Sequence, residues 1–103
     1  MTNQLVQYVR DNKNRKIGVL VAAPTINSPD IINVGWSLTR RSAGDKFDPV
    51  RGVEIALGRA IKTSTQIVPH SLTDEVEKFA LRANRYFKDK QVIISPLPVV
   101  HED

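Results

Sequence analysis

Apolar and polar residues alternate without a break from Ile31 to Thr39. Ile32, Val34, Trp36 and Leu38 share one side, and Asn33, Gly35, Ser37 and Thr39 share the other. A period of two marks an extended strand, because successive side chains leave opposite faces. Upstream, Leu5–Arg10 (LVQYVR) is rich in β-branched and aromatic residues and predicts another strand. Lys16–Ala23 (KIGVLVAA) is almost continuously apolar, which predicts a central strand covered on one face and in part on the other. Between these two lies the polar turn Asp11–Arg15 (DNKNR), where Asn12 and Asn14 suit left-handed backbone angles. Pro24–Asp30 carries two prolines and interrupts pairing before the third strand.

The period changes at Asp48-Pro49. Asp is a good N-cap, and Pro suits the first helical position because its missing N–H would be unpaired there anyway. Val50, Val53, Leu57, Ala60 and Ile61 follow at helical spacing and form one stripe. Gly52 and Gly58 weaken this helix, and their small size allows another element to come close. A second helix is predicted from Thr73 as N-cap, with Asp74 and Glu75 at the positive end of the dipole and Lys88 and Lys90 near the other end. Its stripe is Val76, Phe79, Ala80, Ala83, Tyr86 and Phe87. In the tail, Val92–Ile94 reads as a short strand before Pro96 and Pro98, so residues 91–103 form an edge strand or an extended tail.

The expected fold is one α+β domain over residues 1–103. It is an antiparallel three-stranded meander, with a candidate fourth strand, packed as one layer against two helices. With 41% hydrophobic residues the chain can build a core, though a short chain buries a modest share of its surface. There is no cysteine, which removes disulfides, thiolate metal sites and cysteine nucleophiles. The start MTNQLVQYVRDN lacks an apolar core of signal-peptide length, and no run approaches a membrane span. A cytoplasmic protein, of an infected host cell if the chain is viral, with no membrane partner is therefore expected.

Charge adds direction to this picture. The formal net charge is +4, and residues 1–70 hold ten Lys/Arg against five Asp/Glu. In an up-down-up meander, the first hairpin turn and the end of the third strand meet at one pole. That pole would gather Arg10, Lys13, Arg15, Lys16, Arg40, Arg41 and Lys46, with Asp11, Asp45 and Asp48 offsetting part of the charge. Such cations suit phosphate oxygens and give affinity without sequence choice; a solvated rim with local Arg–Asp pairs is the plainer alternative. Tyr8 and Trp36 are candidate stacking residues, although Trp36 shares its side with Ile32, Val34 and Leu38 and so belongs to the core. The polar side, Asn33, Ser37 and Thr39, would face solvent or enter a nucleic-acid groove. Ile55 and Leu81 fall off the helical stripes and are candidate protein-contact residues.

Catalytic signals are weak. His70 and His101 stand alone, and Glu75 and Glu77 point apart on their helix. No glycine-rich phosphate loop occurs, and Ser37 and Ser42 have no base nearby in sequence. No catalytic residue, metal or cofactor is expected.

Gly35-Trp36-Ser37, Asp45-Lys46-Phe47 and the run Gly52, Ile55-Ala56, Arg59-Ala60 together resemble a pattern in small, mostly uncharacterised bacteriophage proteins: G-x-S, then D-x-F, then G-x-x-I-A-x-x-R-A. The resemblance implies a phage origin and a domain of similar shape, and carries no activity across. Such proteins often have a cysteine after the strand; here Thr39 stands there, so any role of that thiol is absent. Within the pattern, Phe47 is placed to staple the helix start, but its usual partner position is Gly52, leaving Val53 to receive the ring. Arg59 is expected to pair with Glu54 or Asp45 and fix the turn, with contact to a ligand anion as the alternative.

Two functions follow as expectations. One is a small basic protein that binds DNA or RNA through the pole named above. The other is a phage-encoded module that contacts a host protein through Ile55 and Leu81. Self-association as a homo-oligomer is compatible with either, since a short chain gains from burying more apolar surface.

Overall fold

The computed structural model describes residues 3–39, 46–62, 67–95 and 97–98. Strands β1 (Leu5–Arg10), β2 (Lys16–Pro24) and β3 (Ile31–Leu38) form the expected antiparallel meander. Helices α1 (Pro49–Lys62) and α2 (Thr73–Tyr86) follow, then β4 (Gln91–Ile94) and the two-residue β5 (Leu97–Pro98). The sheet order is β1-β2-β3-β4-β5, so the fold is α+β with a mixed sheet. β4 runs parallel to β3, pairing Ile31 with Gln91 and Asn33 with Ile93, and β5 folds back antiparallel on β4. Parallel neighbours need a long crossover, and here both helices lie within it.

The hairpin turn closes through Asp11, whose Oδ1 accepts the N–H groups of Lys13 and Arg15, both at 2.9 Å. Asn14 takes the left-handed conformation, with φ of 63°, as its short amide side chain permits. The ladder shifts by a bulge between Val9 and Arg10.

The two helices do not share a layer; they cover opposite faces of the sheet. On one face, Leu20, Ala22, Ile32 and Val34 pack with Val76, Phe79, Ala80 and Ala83 of α2, together with Leu72 and Val92. On the other, Val19, Val21 and Ala23 pack with Ala56 and Ala60 of α1, flanked by Val53, Leu57 and Ile61. The continuous apolar run of β2 has this cause: Val19, Leu20, Val21 and Ala22 are all fully buried because each face has a helix over it.

This arrangement overturns the expectation that the polar side of β3 is open. Asn33, Gly35 and Ser37 form the seat of α1. Asn33 is fully buried; its Nδ2 donates to the Ala60 carbonyl at 2.9 Å and its Oδ1 accepts the Ser95 N–H at 2.9 Å. Ser37 Oγ donates to the Gly52 carbonyl at 2.9 Å. At Gly35, a Cβ would lie 1.9 Å from the Ala56 oxygen, and at Gly52 it would lie 2.8 Å from Val19 Cγ2. The helix therefore rides close on β2 and β3 through Gly52, Ala56 and Ala60, while its bulkier residues flank the contact. Val50, counted in the sequence stripe, is 68% exposed. Gly58 has nothing near it and plays no part in the approach.

Helix starts follow the sequence at one end and depart from it at the other. Asp48 caps α1, its Oδ1 accepting the N–H groups of Val50 and Arg51 at 3.1 and 3.2 Å. Phe47 sends its ring edge-on to Tyr8 of β1, 6.0 Å between centroids. At α2, Thr73 is the first helical residue, not the cap. A short 3₁₀ turn, His70–Leu72, leads in without a side-chain cap, and buried Leu72 anchors the entry by packing. Lys90 lies beyond the end of α2 and pairs with Asp30 at 3.1 Å, tying the start of β4 to the loop before β3.

Candidate functional site

The meander sets the geometry of the basic pole. β2 and β3 pair with Gly18 opposite Leu38, and the Thr39 N–H donates to the Ile17 carbonyl at 2.8 Å. The end of β3 thus lies beside the start of β2, and the hairpin turn carrying Lys13 follows on the next strand. Arg40 and Arg41 lie outside the described residues. Lys46 lines a cleft of about 350 Å³ at this corner, between the end of β3 and the first turns of α1. Ser37, Leu38 and Thr39 form one side of the cleft, and Asp48, Arg51, Gly52 and Ile55 the other.

The hairpin cations differ in how they are held. Arg10 Nη1 donates to the Asn14 carbonyl at 3.0 Å, which fixes it along the turn. Arg15 Nε donates to Asp11 Oδ2 at 2.9 Å, an ion pair that cancels its charge locally. The Arg15 N–H accepted by the Asp11 carboxyl is the main cause holding that carboxyl below its ordinary range; partial desolvation opposes this, while the Lys13 N–H and the Arg15 guanidinium add to it. Lys13 is exposed. Lys16 Nζ sits 4.5 Å over the Tyr8 ring. Tyr8 is 37% exposed and also meets Phe47, so a line of contacts runs from Lys16 through Tyr8 and Phe47 to the neighbour of Phe47 in sequence, Lys46.

Arg51 was not among the cations expected at this pole. A signal for it exists in the sequence: it stands in the first turn of α1, where a positive charge opposes the helix dipole and the Asp48 cap offsets part of that cost.

Ile55 is 38% exposed and lines the cleft, while Leu81 is half-buried on α2. The helices lie on opposite faces of the sheet, so the fold does not bring Ile55 and Leu81 into one patch.

Arg59 behaves differently from its expectation. Its guanidinium carbon stacks 3.9 Å over the Trp36 ring and Nη1 donates to the Trp36 carbonyl at 2.7 Å. The β4 ladder on β3 runs from Ile31 to Asn33, and Arg59 reaches Trp36 from α1 beyond the end of that ladder. Burial lowers the pKa of its guanidinium, which keeps its charge at any physiological pH. Trp36 is half-buried against the α2-side core, consistent with a packing residue. Arg59→Ala removes a charged hydrogen bond and a cation–π contact together, so a loss of about 2 kcal/mol is expected. The urea midpoint should fall at constant m, and emission from Trp36, the sole tryptophan, should shift to the red. Arg59→Lys should recover little, because a point charge does not stack and bridge as the planar fork does.

Among the described residues, no three His, Asp or Glu side chains are placed to hold a metal ion, and no helix is long and apolar enough to cross a membrane. Compared with models of protein families, with curated proteins and with solved structures, the chain matches none.

Proposed function

We propose that the protein binds nucleic acid through the pole formed by the β1–β2 turn, the end of β3 and the start of α1. The observation that carries this reading is the register of the meander. It sets Lys13 and Lys16 of the hairpin at the same end of the sheet as the cleft that Lys46 and Arg51 line. Cations from three separate elements on one surface suit a ligand with several phosphates, each giving positional affinity and none reading sequence. Arg15 contributes less than its charge suggests, because Asp11 holds it. The contact is made by this corner and not by the sheet face, which α1 covers.

Anisotropy titration of labelled DNA and RNA across salt tests the reading. Engaging about four phosphates predicts an affinity loss between about 50 and 200 mM salt of about 50-fold for a single strand and about 150-fold for a duplex. Lys46→Gln with Arg51→Gln should weaken binding to every sequence alike and flatten the salt slope by about 1.4 on a single strand or about 1.8 on a duplex. Absence of binding at low salt to DNA and RNA, single- or double-stranded, removes the proposal. So would a cell-lysate partner that survives nuclease treatment and is lost from the same double variant.

A further inference from the structure

We infer that the nucleic acid taken by this pole is single-stranded, with one nucleotide seated in the cleft beside α1 and Tyr8 serving as a stacking surface. The inference rests on the nucleic-acid reading above and narrows its ligand.

Size is the first ground. A cleft of about 350 Å³ lies at the small end of the range for small-ligand pockets, large enough for one nucleotide and too small for a duplex. Its lining is the second. Ile55 places apolar surface beside Lys46 and Arg51. A phosphate alone has no use for an apolar wall, whereas a base or ribose does. Asp48, held by the two helix N–H groups, adds a carboxylate acceptor to the same cleft. It repels a phosphate from that side and suits the amino group of a base, so the phosphate belongs with the two cations.

The third ground is independent of the cleft. Tyr8 is the exposed ring of the row Lys16–Tyr8–Phe47, which leads to Lys46. Cations interleaved with aromatic rings form the track on which single strands lie, because every base has a face to stack and a duplex hides those faces. The fourth is what the fold lacks. Reading duplex DNA with a sheet face requires that face to be open, and the polar face of β3 is closed by α1 through Asn33 and Ser37.

The test compares a labelled single strand of mixed adenine and cytosine, whose bases carry amino groups, with a duplex of the same length, in wild-type protein and in Tyr8→Leu, Tyr8→Phe and Ile55→Asp, each first checked for wild-type circular dichroism. The single strand should bind at least about tenfold more tightly than the duplex. Tyr8→Leu should cost about tenfold in single-strand affinity with the salt slope unchanged, since stacking carries no counterion release, and Tyr8→Phe should bind as wild type. Ile55→Asp, at an exposed helical position, should cost a similar factor if the cleft is occupied. Equal or tighter duplex binding, with Tyr8→Leu and Ile55→Asp both neutral, overturns the single-strand inference and leaves the nucleic-acid proposal standing. Absence of binding to either probe, and to the RNA strand and duplex of the same sequence, removes both.

Discussion

Gly35→Ala should destabilise the protein by about 4 kcal/mol, and Gly35→Val should leave little folded protein to purify. The added Cβ would sit 1.9 Å from the Ala56 oxygen and 2.6 Å from the Ala60 nitrogen. Both are backbone atoms of a hydrogen-bonded helix, so no side-chain rotation relieves the clash. The helix must lift from the sheet, and lifting it breaks the burial of Ala56 and Ala60 as well as the Asn33 and Ser37 bonds to its carbonyls. Overpacking of an adaptable core costs about 1–3 kcal/mol; a rigid obstacle lies at or beyond the top of that range. Against a total stability of about 5–15 kcal/mol for a domain, this is a large part. Gly58→Ala is the control. It lies on the same helix with nothing within 4 Å of the new atom, so it should be neutral or stabilising by up to about 1 kcal/mol. Urea titrations of the two variants decide the matter, and a Gly35→Ala protein as stable as Gly58→Ala would refute the close approach of α1.

Asn33→Ala carries the second largest expected loss, about 3 kcal/mol. The Ala60 carbonyl that Asn33 meets is one of the last four of α1, which have no partner within the helix, and the Ser95 N–H follows directly on β4. Removing the amide orphans two backbone groups at a fully buried position, at about 1–3 kcal/mol for each such group less what relaxation recovers. Asn33→Asp separates the bonding from the volume. The new carboxyl faces a carbonyl oxygen and is buried, so only its protonated form can donate to Ala60, and its folded pKa must rise above the ordinary value of about 3.9. The sign follows from linkage. Folded protein then holds the proton more tightly than unfolded, so the variant is least impaired below the unfolded carboxyl pKa. It loses stability as pH rises from there to the folded value, and the loss is complete above it. Thermal melts over an acid-to-neutral series should show this slope in Asn33→Asp and not in Asn33→Ala.

These two residues also show how far the fold could be read in the sequence. All three meander strands, the Asp48-Pro49 start of α1 and the apolar stripe of α2 apart from Tyr86, which is exposed, were legible, because each rests on a local period or cap. That the end of β3 lies at the same pole as the β1–β2 turn followed from strand order alone. What the alternation of Ile31–Thr39 could not say is what lies over each face. Asn33 and Ser37 are polar because they bond carbonyls of a helix packed on them, a reason that looks identical to solvent exposure in a periodic pattern. The neighbouring strand held the missing clue: an unbroken apolar run in β2 requires cover on both faces, and β3 pairs with β2 along its whole length. Arg59 and Trp36 meet beyond the end of the short β4 ladder, which no spacing rule anticipates. In the candidate site, Lys46 was legible as part of a charge cluster. Arg51 and the cleft required the position of α1 over the sheet, and the expected Arg15 contact is offset by an Asp11 pair that the turn sequence contains.

The Asn33 side chain joins segments 27 and 62 residues away along the chain. That places a late step in the assembly of the molecule. During synthesis, residues 5–62 can pair the meander and lay α1 on it through contacts of moderate separation. Strand β4 must close a far longer loop before it adds its ladder, and such closures slow folding. Until α2 and β4 emerge, Leu20, Ala22, Ile32 and Val34 stand bare on the far face. The nascent protein therefore passes through a stage with one dry side and one sticky side, when a chaperone or a second nascent chain competes with its own C-terminal third for the same surface.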